Sequence, residues 1–306
     1  MKREPLVSVI IPAYNMADFT VKTVESVLCQ SYPKIEIIVV DDGSTDDTQK
    51  KLEPFEGRII YVRKENGGAC SARNVGIRRA RGEFIGLLDC DDLYMPEKIR
   101  KSVEEMEARP QAGLLHTGVY FIDGQEKIIG RRRSVAHYQG WAIDKLIVVN
   151  LVANGTAVVR RECFDKVGLF DEQLFPPADW DMWLRIGEHY QLAYLDEPLS
   201  KYRVSSNWNF KNLERMKEEE AIVLSKFFER NPQTSASIKN KAYSRYHFTM
   251  AKCYLVKGDE GAMKEHLNES LRLNPFNLKA NATRLAHGIV PERLKKYAAR
   301  TMFVES

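Results

Sequence analysis

The sequence predicts an α/β protein built on a mostly parallel, Rossmann-like central sheet flanked by helices, followed by an α-helical C-terminal region. Three observations predict it. Short apolar runs alternate with helically spaced segments through the first 120 residues. Those runs are apolar on both faces, as in strands covered by helices on each side. After about Asn207 the strand signals stop and charged, helically patterned segments take over.

The elements follow in order. Residues 6–12 (LVSVIIP) form a first strand ended by a proline. Residues 19–30 place Val21, Val24, Val27 and Leu28 on one helix face. Residues 35–42 (IEIIVVDD) and 58–63 (RIIYVR) are the next strands, with Ser44 or Thr45 capping the helix between them. A helix is expected over 69–79 and a fourth strand over 83–89, and Pro96 suits the opening of another helix. Residues 112–122 are a fifth strand. Residues 128–133 suit an edge strand whose Arg131, Arg132 and Arg133 lie on a surface, with a merely solvated face as the plain reading. Residues 141–149 read as a helix, 155–161 as a strand and 178–190 as an amphipathic helix. Residues 191–205 read as two short strands. The domain division expected is 1–206 and 207–306. In the second part, residues 212–230 form a charged helix, and 246–275 resemble one tetratricopeptide-type hairpin, with Ala251, Tyr254, Gly258 and Pro275 in place. Met263 and Ser270 stand where small alanines are usual. A single such unit cannot bury its own face, so the helices are expected to pack on the main domain or on a partner, a second copy included.

Composition narrows the class. The 306 residues are 44% hydrophobic and 29% charged, which suits a globular protein with a substantial core. Net charge is +4, from 46 basic and 42 acidic residues, too balanced to point to nucleic acid. No run approaches membrane-spanning length, and the N-terminus reads as charges followed by a strand rather than a signal peptide. The five cysteines form no Cys-x-x-Cys pair, so free thiols in a reducing cytoplasm are expected. The basic segment 291–300 (PERLKKYAAR) could touch anionic lipid at the inner face of a membrane or be a solvated helix. The six histidines are scattered, with a core or surface place as the default for each and His116, on a strand, the most notable.

Function is written at the strand ends. In parallel α/β sheets, ligands bind beyond the carboxyl ends of the strands. Four polar clusters fall there in succession: Pro12-Ala13-Tyr14-Asn15, Asp41 to Asp46, Lys64 to Asn74, and Asp89-Cys90-Asp91-Asp92. A strand running into three carboxylates calls for a positive partner, and hard divalent cations take carboxylate and phosphate oxygens together. Asp91 or Asp92 could instead cap the next helix. Gly67 and Gly68 let backbone turn sharply or approach a ligand. No Walker loop or dinucleotide fingerprint is present. Asp41 and Asp42 can accept hydrogen bonds from a base or ribose, and a nucleoside diphosphate lying across these strand ends would touch all four clusters.

The segments VSVIIPAYN, VDDGSTDDT, ENGGACSARNVGI, GEFIGLLDCDD, VGLFDEQL, DWDMWLR and YRVS, in that order, resemble the family 2 glycosyltransferases. These are nucleotide-sugar-dependent inverting enzymes of GT-A fold, and the resemblance spans residues 5–205. It implies that Pro12, Ala13, Tyr14, Asn15, Asp41 and Asp42 bind the nucleoside. It implies that Asn66, Gly67, Gly68 and Arg73 line the base and ribose. Asp89-Cys90-Asp91 would be the Asp-x-Asp motif, with Asp91 on Mn²⁺ or Mg²⁺ and Asp89 on the ribose or the metal's waters. Asp92 is left to the helix start. Asp179 would be the base that deprotonates the acceptor hydroxyl, with Asp181, Arg185 and Arg203 in support and Arg185 paired to Asp181.

Two departures stand out. Ala178 replaces a common glutamate, and Ser205 stands where the family often has a metal-binding histidine. The Gln/Arg-x-x-Arg-Trp of processive synthases is absent, so transfer of one sugar, from a UDP-sugar to a glycan or lipid-linked acceptor in surface polysaccharide or glycoconjugate synthesis, is the expectation. A nucleotidyltransferase would need a glycine-rich basic N-terminal loop, which VSVIIPAYN lacks. An inactive GT-A scaffold is countered by the presence of both Asp91 and Asp179.

Overall fold

The computed structural model describes residues 4–132, 139–150, 152–174, 177–204 and 213–289. They form two compact units, residues 1–143 with 151–206 and residues 144–150 with 207–306.

In chain order the first unit comprises β1 (Val7–Ala13), α1 (Ala17–Leu28), β2 (Ile35–Asp41), α2 (Thr48–Leu52), β3 (Ile60–Arg63) and α3 (Ala69–Arg79). It continues with β4 (Phe84–Leu87), β5 (Leu93–Tyr94), α4 (Lys98–Ala108), β6 (Ala112–Ile122) and β7 (Ile128–Arg132). After the single turn α5 (Ile143–Leu146), whose residues from 144 onward belong to the second unit, come β8 (Val158–Arg160), α6 (Arg161–Val167), α7 (Ala178–Gly187) and β9 (Gln191–Arg203). The nine strands form one sheet in the order β3-β2-β1-β4-β8-β6-β9-β5, with β7 paired to β6.

The sheet has two halves. β1, β2, β3 and β4 are parallel neighbours joined by helices, the half legible as an apolar–helix alternation. β8 then enters antiparallel between β4 and β6, and β5 and β7 are antiparallel edges. β6 and β9 run parallel. β1 is buried at every position, because α3 packs over β1 and β2 while α1 lies against β1 and β5. Gly76 makes the α3 approach feasible: a Cβ there would lie 2.4 Å from Ile10 Cγ2.

Several local expectations are corrected. The helix expected over 141–149 is only Ile143–Leu146. The two strands expected over 191–205 are one, β9, whose pairing with β6 shifts register near Thr117 and Gly118, so its alternation breaks midway. Ser44 and Thr45 do not cap α2; Asp46 Oδ1 accepts from Thr48 N at 3.0 Å. His116 is fully buried against Tyr194, ring centroids 4.9 Å apart. All five cysteines are free thiols.

The second unit carries α8 (Leu213–Arg230), α9 (Ala236–Lys257), α10 (Glu260–Leu273) and α11 (Leu278–Ile289). Gly258, left-handed at φ 85°, closes α9, and Asp259 Oδ1 caps α10 by accepting from Ala262 N at 3.0 Å. Ser270 stands in place of an alanine because Ser244 meets it: the hydroxyl of each donates to the other's carbonyl at 2.8 Å, inside the hairpin. No helix among the described residues is long and apolar enough to cross a membrane.

Candidate active site

The parallel half brings the first three polar clusters level. Ala13 pairs with Asp41, Asp41 with Arg63, and Asp42 N donates to Ala13 O at 2.8 Å. The chain then turns at Asn15, a non-glycine residue at φ 50°. Its side chain supports that conformation by bridging to the next cluster: Asn15 Oδ1 accepts from Thr45 N at 2.7 Å, and Asn15 N donates to Ser44 Oγ at 3.0 Å. Tyr14, 47% exposed, projects beside this turn.

Asp41 and Asp42 are buried, and both spend their oxygens within the protein. Asp41 accepts from Ser44 N, the Tyr61 hydroxyl and Arg63 Nη1. Asp41 is fully buried beneath these three donors. Asp42 accepts from Lys64 Nζ at 2.6 Å and from the amides of Gly67 at 3.0 Å and Gly68 at 2.7 Å. The tandem glycines thus fold their loop around Asp42, leaving Asn66, Gly67 and Gly68 exposed on the rim.

The fourth cluster leaves β4 as an irregular turn. Asp89, Cys90 and Asp91 are half-buried and Asp92 is buried. Asp92 does not start a helix: α4 begins only at Lys98, and Asp92 Oδ1 accepts from Arg203 N at 2.9 Å. Arg203 holds the turn with its side chain too, donating from Nε to Asp91 O at 2.9 Å and from Nη1 to Asp123 O at 2.8 Å, with its guanidinium 4.6 Å over the Phe19 ring. Thr23 Oγ1 lies 2.9 Å from Cys90 O and 2.8 Å from Asp92 O and donates to this pair. Burial, and then the Asp89 charge, raise the Asp91 carboxyl above its ordinary range. Burial pushes the Cys90 thiol up to about 12, with Asp91 and Asp89 adding to it, so it is no nucleophile.

Asp179 reaches this region through α3 and α7. Asn74 on α3 clasps the segment before α7, its Nδ2 donating to Phe170 O and its Oδ1 accepting from Phe170 N, both at 2.9 Å. Phe170 lies beneath the Arg73 guanidinium at 5.8 Å and packs edge-on to Trp183 of α7 at 6.3 Å. Arg185 pairs with Asp181 at 2.9 Å and donates to Val167 O and Leu169 O, pinning α7 to the same segment. Asp179, half-buried in the first turn of α7, is aligned by accepting from Trp180 N at 2.6 Å. Arg73 Nη2 meets Asp89 Oδ1 at 2.5 Å. Burial opposes the Arg73 charge, but Asp89, followed by Cys70 and then Asp179, outweighs it and holds its pKa raised. The charges of Asp92, Asp89, Asp91 and Asp179 likewise reach the Tyr202 phenol, whose pKa burial raises first.

The structure therefore brings together Asp89, Asp91, Arg73, Asp179 and Arg203, and gathers Tyr14, Asn15 and Asn66 to Gly68 on the neighbouring rim. Asp181 and Arg185, both on α7, pair with each other, and Arg185 turns to the 167–169 segment. Pro12 and Ala13 are buried in β1, as backing to the site. Ser205, Arg133 and the basic segment 291–300 lie outside the described residues. Sequence reading gave no individual role to Lys64, Thr23, Asn74 or Tyr202. Lys64 and Asn74 lay in its third polar cluster and Tyr202 in the YRVS segment, whereas Thr23 acts through partners distant in sequence.

The residues fit a divalent cation. Among the described residues no group of three or more His, Cys, Asp or Glu is arranged to hold a metal ion unaided. Arg73 already balances Asp89, while the Asp91 carboxylate makes no ion pair among the described residues. One or two carboxylates completed by ligand phosphates is the usual donor set for Mg²⁺.

A nine-stranded α/β sheet with this carboxylate turn on its strand ends defines a GT-A fold, and solved structures share it. S. aureus TarS 1–349 in complex with UDP-GlcNAc matches with TM-score 0.68 and 17% identity, over 96% of this chain and 89% of that one. The mannosyltransferase PcManGT from Pyrobaculum calidifontis in complex with GDP-Man and Mn²⁺ matches with TM-score 0.66 and 19% identity, over 98% and 85%. An uncharacterized glycosyltransferase of Rickettsia typhi is 34% identical over 204 residues, 65% of this chain and 64% of its own length. The chain thus spans under two thirds of that relative. A family model described as "Glycosyl transferase family 2" matches residues 8–168. The chain belongs to glycosyl transferase family 2.

Proposed function

We propose that this protein transfers one sugar, with inversion, from a nucleoside diphosphate sugar of the UDP type to a hydroxyl of a glycan or lipid-linked acceptor, in building a surface polysaccharide or glycoconjugate. The observation that carries the reading is the convergence of Asp89, Asp91 and Asp179: one Arg73 guanidinium pairs with Asp89 and feels Asp179, and the charges of all three, with that of Asp92, reach Tyr202. The TarS and PcManGT complexes, which hold UDP-GlcNAc and GDP-Man, support a nucleotide-sugar donor, and the Mn²⁺ of the latter supports a divalent ion.

The roles divide as follows. Tyr14, Asn15 and the 66–68 rim receive the nucleoside, and Asp42 and Lys64 hold that rim in shape. Asp91, with Asp89 beside it, would hold Mn²⁺ or Mg²⁺, which when bound offsets charge on the departing diphosphate. Asp179 accepts the proton of the acceptor hydroxyl as its oxygen bonds to the anomeric carbon. The bond from that carbon to the diphosphate breaks and its electron pair leaves with the diphosphate. Attack opposite the leaving group inverts the centre. Arg203 keeps Asp91 and Asp92 in their turn. Domains follow the function: 1–206 carries catalysis, and 207–306 serves acceptor or subunit contacts.

Asp179→Asn tests the assignment. Transfer is lost while UDP binding with Mn²⁺, measured by calorimetry, stays near wild type. Equal loss of both would remove Asp179 as the base.

A further inference from the structure

The proposed roles leave one prominent group unused: Tyr202. It stands next to Arg203 at the C-terminal end of β9, paired across the sheet with Phe121 of β6. The two rings meet at right angles, centroids 6.1 Å apart, so Phe121 fixes the orientation of Tyr202. Tyr202 nonetheless remains 38% exposed. An aromatic ring at a sheet end is commonly a packing residue, but packing would cover it. Its hydroxyl meets no hydrogen-bond partner among the described residues. Instead the charges of Asp92, Asp89, Asp91 and Asp179 all reach it.

This pairing of groups has a matching ligand chemistry. A pyranose is two-sided: its axial C–H groups make an apolar face, and its equatorial hydroxyls point outward as donors. An oriented, exposed aromatic ring suits the first, and neighbouring carboxylates suit the second. A nucleobase would also stack on tyrosine, but the half-buried carboxylates of Asp91 and Asp179, whose charges reach the phenol, are acceptors and favour a polyhydroxylated partner.

We propose that Tyr202, braced by Phe121, is the platform on which a pyranose ring lies in this site, its C–H face on the phenol ring and its hydroxyls toward the carboxylates. The inference rests on the glycosyltransferase reading above and adds to it a sugar-binding residue. The ring on the platform belongs to either the donor or the acceptor, and the test separates them.

Full-length wild type, Tyr202→Phe and Tyr202→Ala are compared by calorimetry with UDP and with UDP-GlcNAc, each with Mn²⁺, and by transfer kinetics. Tyr202→Phe keeps the ring and stays within about twofold of wild type. Tyr202→Ala loses about three- to tenfold, the scale of one aromatic contact. Weaker UDP-GlcNAc with unchanged UDP places the donor sugar on Tyr202. Unchanged binding and donor hydrolysis with a raised acceptor KM places the acceptor sugar there. Equal weakening of UDP and UDP-GlcNAc, or no change in any of the three measurements, overturns the proposal. If Tyr202→Ala does not fold, Tyr202→Leu keeps apolar bulk without a π face and is read by the same outcomes. A wild-type chain that binds neither UDP nor UDP-GlcNAc, nor GDP-mannose tried in their place, overturns the glycosyltransferase reading itself, and this inference with it.

Discussion

Arg203→Ala removes the cation on which the carboxylate turn is built. Arg203 is 6% exposed, so its interactions are little diluted by water. The side chain supplies hydrogen bonds to Asp91 O and Asp123 O and lies over Phe19. A hydrogen bond from a charged donor contributes about 1.5–3 kcal/mol, and a desolvated cation–π contact about 2 kcal/mol. Some relaxation and water entry will compensate, because the Arg203 backbone bond to Asp92 survives the substitution. The expected loss is about 3–5 kcal/mol, and for a unit of this size each kcal/mol lowers Tm by roughly 2–4 °C. Arg203→Lys keeps the charge but reaches one carbonyl at most, so about half of that loss is expected. Urea denaturation gives the stability, and calorimetry of UDP with and without Mn²⁺ gives the function. The lysine variant, still folded, should bind UDP more weakly only when Mn²⁺ is present, because the Asp91 backbone is no longer held. A loss below about 0.5 kcal/mol for Arg203→Ala, or a lysine variant with wild-type Mn²⁺ dependence, would refute the reasoning.

Two further outcomes follow from the packing. Lys98 is fully buried, donating to Thr156 O at 2.6 Å, and burial lowers its pKa to about 7. Between that value and the ordinary 10.5 the unfolded chain holds a proton the folded chain has shed, so stability falls by about 1.4 kcal/mol per unit as pH drops through this window and levels off below it. Stability curves of wild type and Lys98→Met from pH 6 to 10 should therefore diverge by roughly that slope; parallel curves would contradict it. Gly76→Ala should cost about 1–3 kcal/mol despite the better helix propensity of alanine, because its Cβ meets Ile10 Cγ2. Adding Ile10→Ala should recover part of that loss in a double-mutant cycle, and strictly additive effects would show the contact to be unimportant.

What the sequence disclosed follows the range of the interactions involved. The parallel half was legible because each strand is a local apolar run and each crossover a local helical stripe. α3 was expected over residues 69–79 and spans Ala69–Arg79. β8 was visible as a strand, but not that it enters antiparallel, since strand direction depends on the sheet and not on the segment. β5, two residues long, has no pattern to read and exists only because β9 pairs with it. β9 looked like two strands because its register against β6 slips beside Gly118, where a Cβ would lie 3.1 Å from the Glu197–Pro198 backbone.

The carboxylates show the same limit at the scale of single residues. Asp91 and Asp92 are adjacent and chemically identical, and nothing local separates a ligand-binding carboxylate from a structural one. The distinction comes from Arg203, 111 positions beyond Asp92, whose backbone takes Asp92 inward and whose side chain takes the Asp91 carbonyl. With its carbonyl held and its carboxylate in no ion pair among the described residues, Asp91 differs from both of its acidic neighbours in the turn. Asp89 differs again, because Arg73 on α3 already sits on it. Asp41 and Asp42 repeat the pattern: Tyr61 and Arg63 from β3 draw the first into the sheet, while Lys64 and two glycine amides turn the second to hold the rim. An acidic motif therefore announces where a site lies, whereas which acid does the chemistry is decided by cations supplied from other strands.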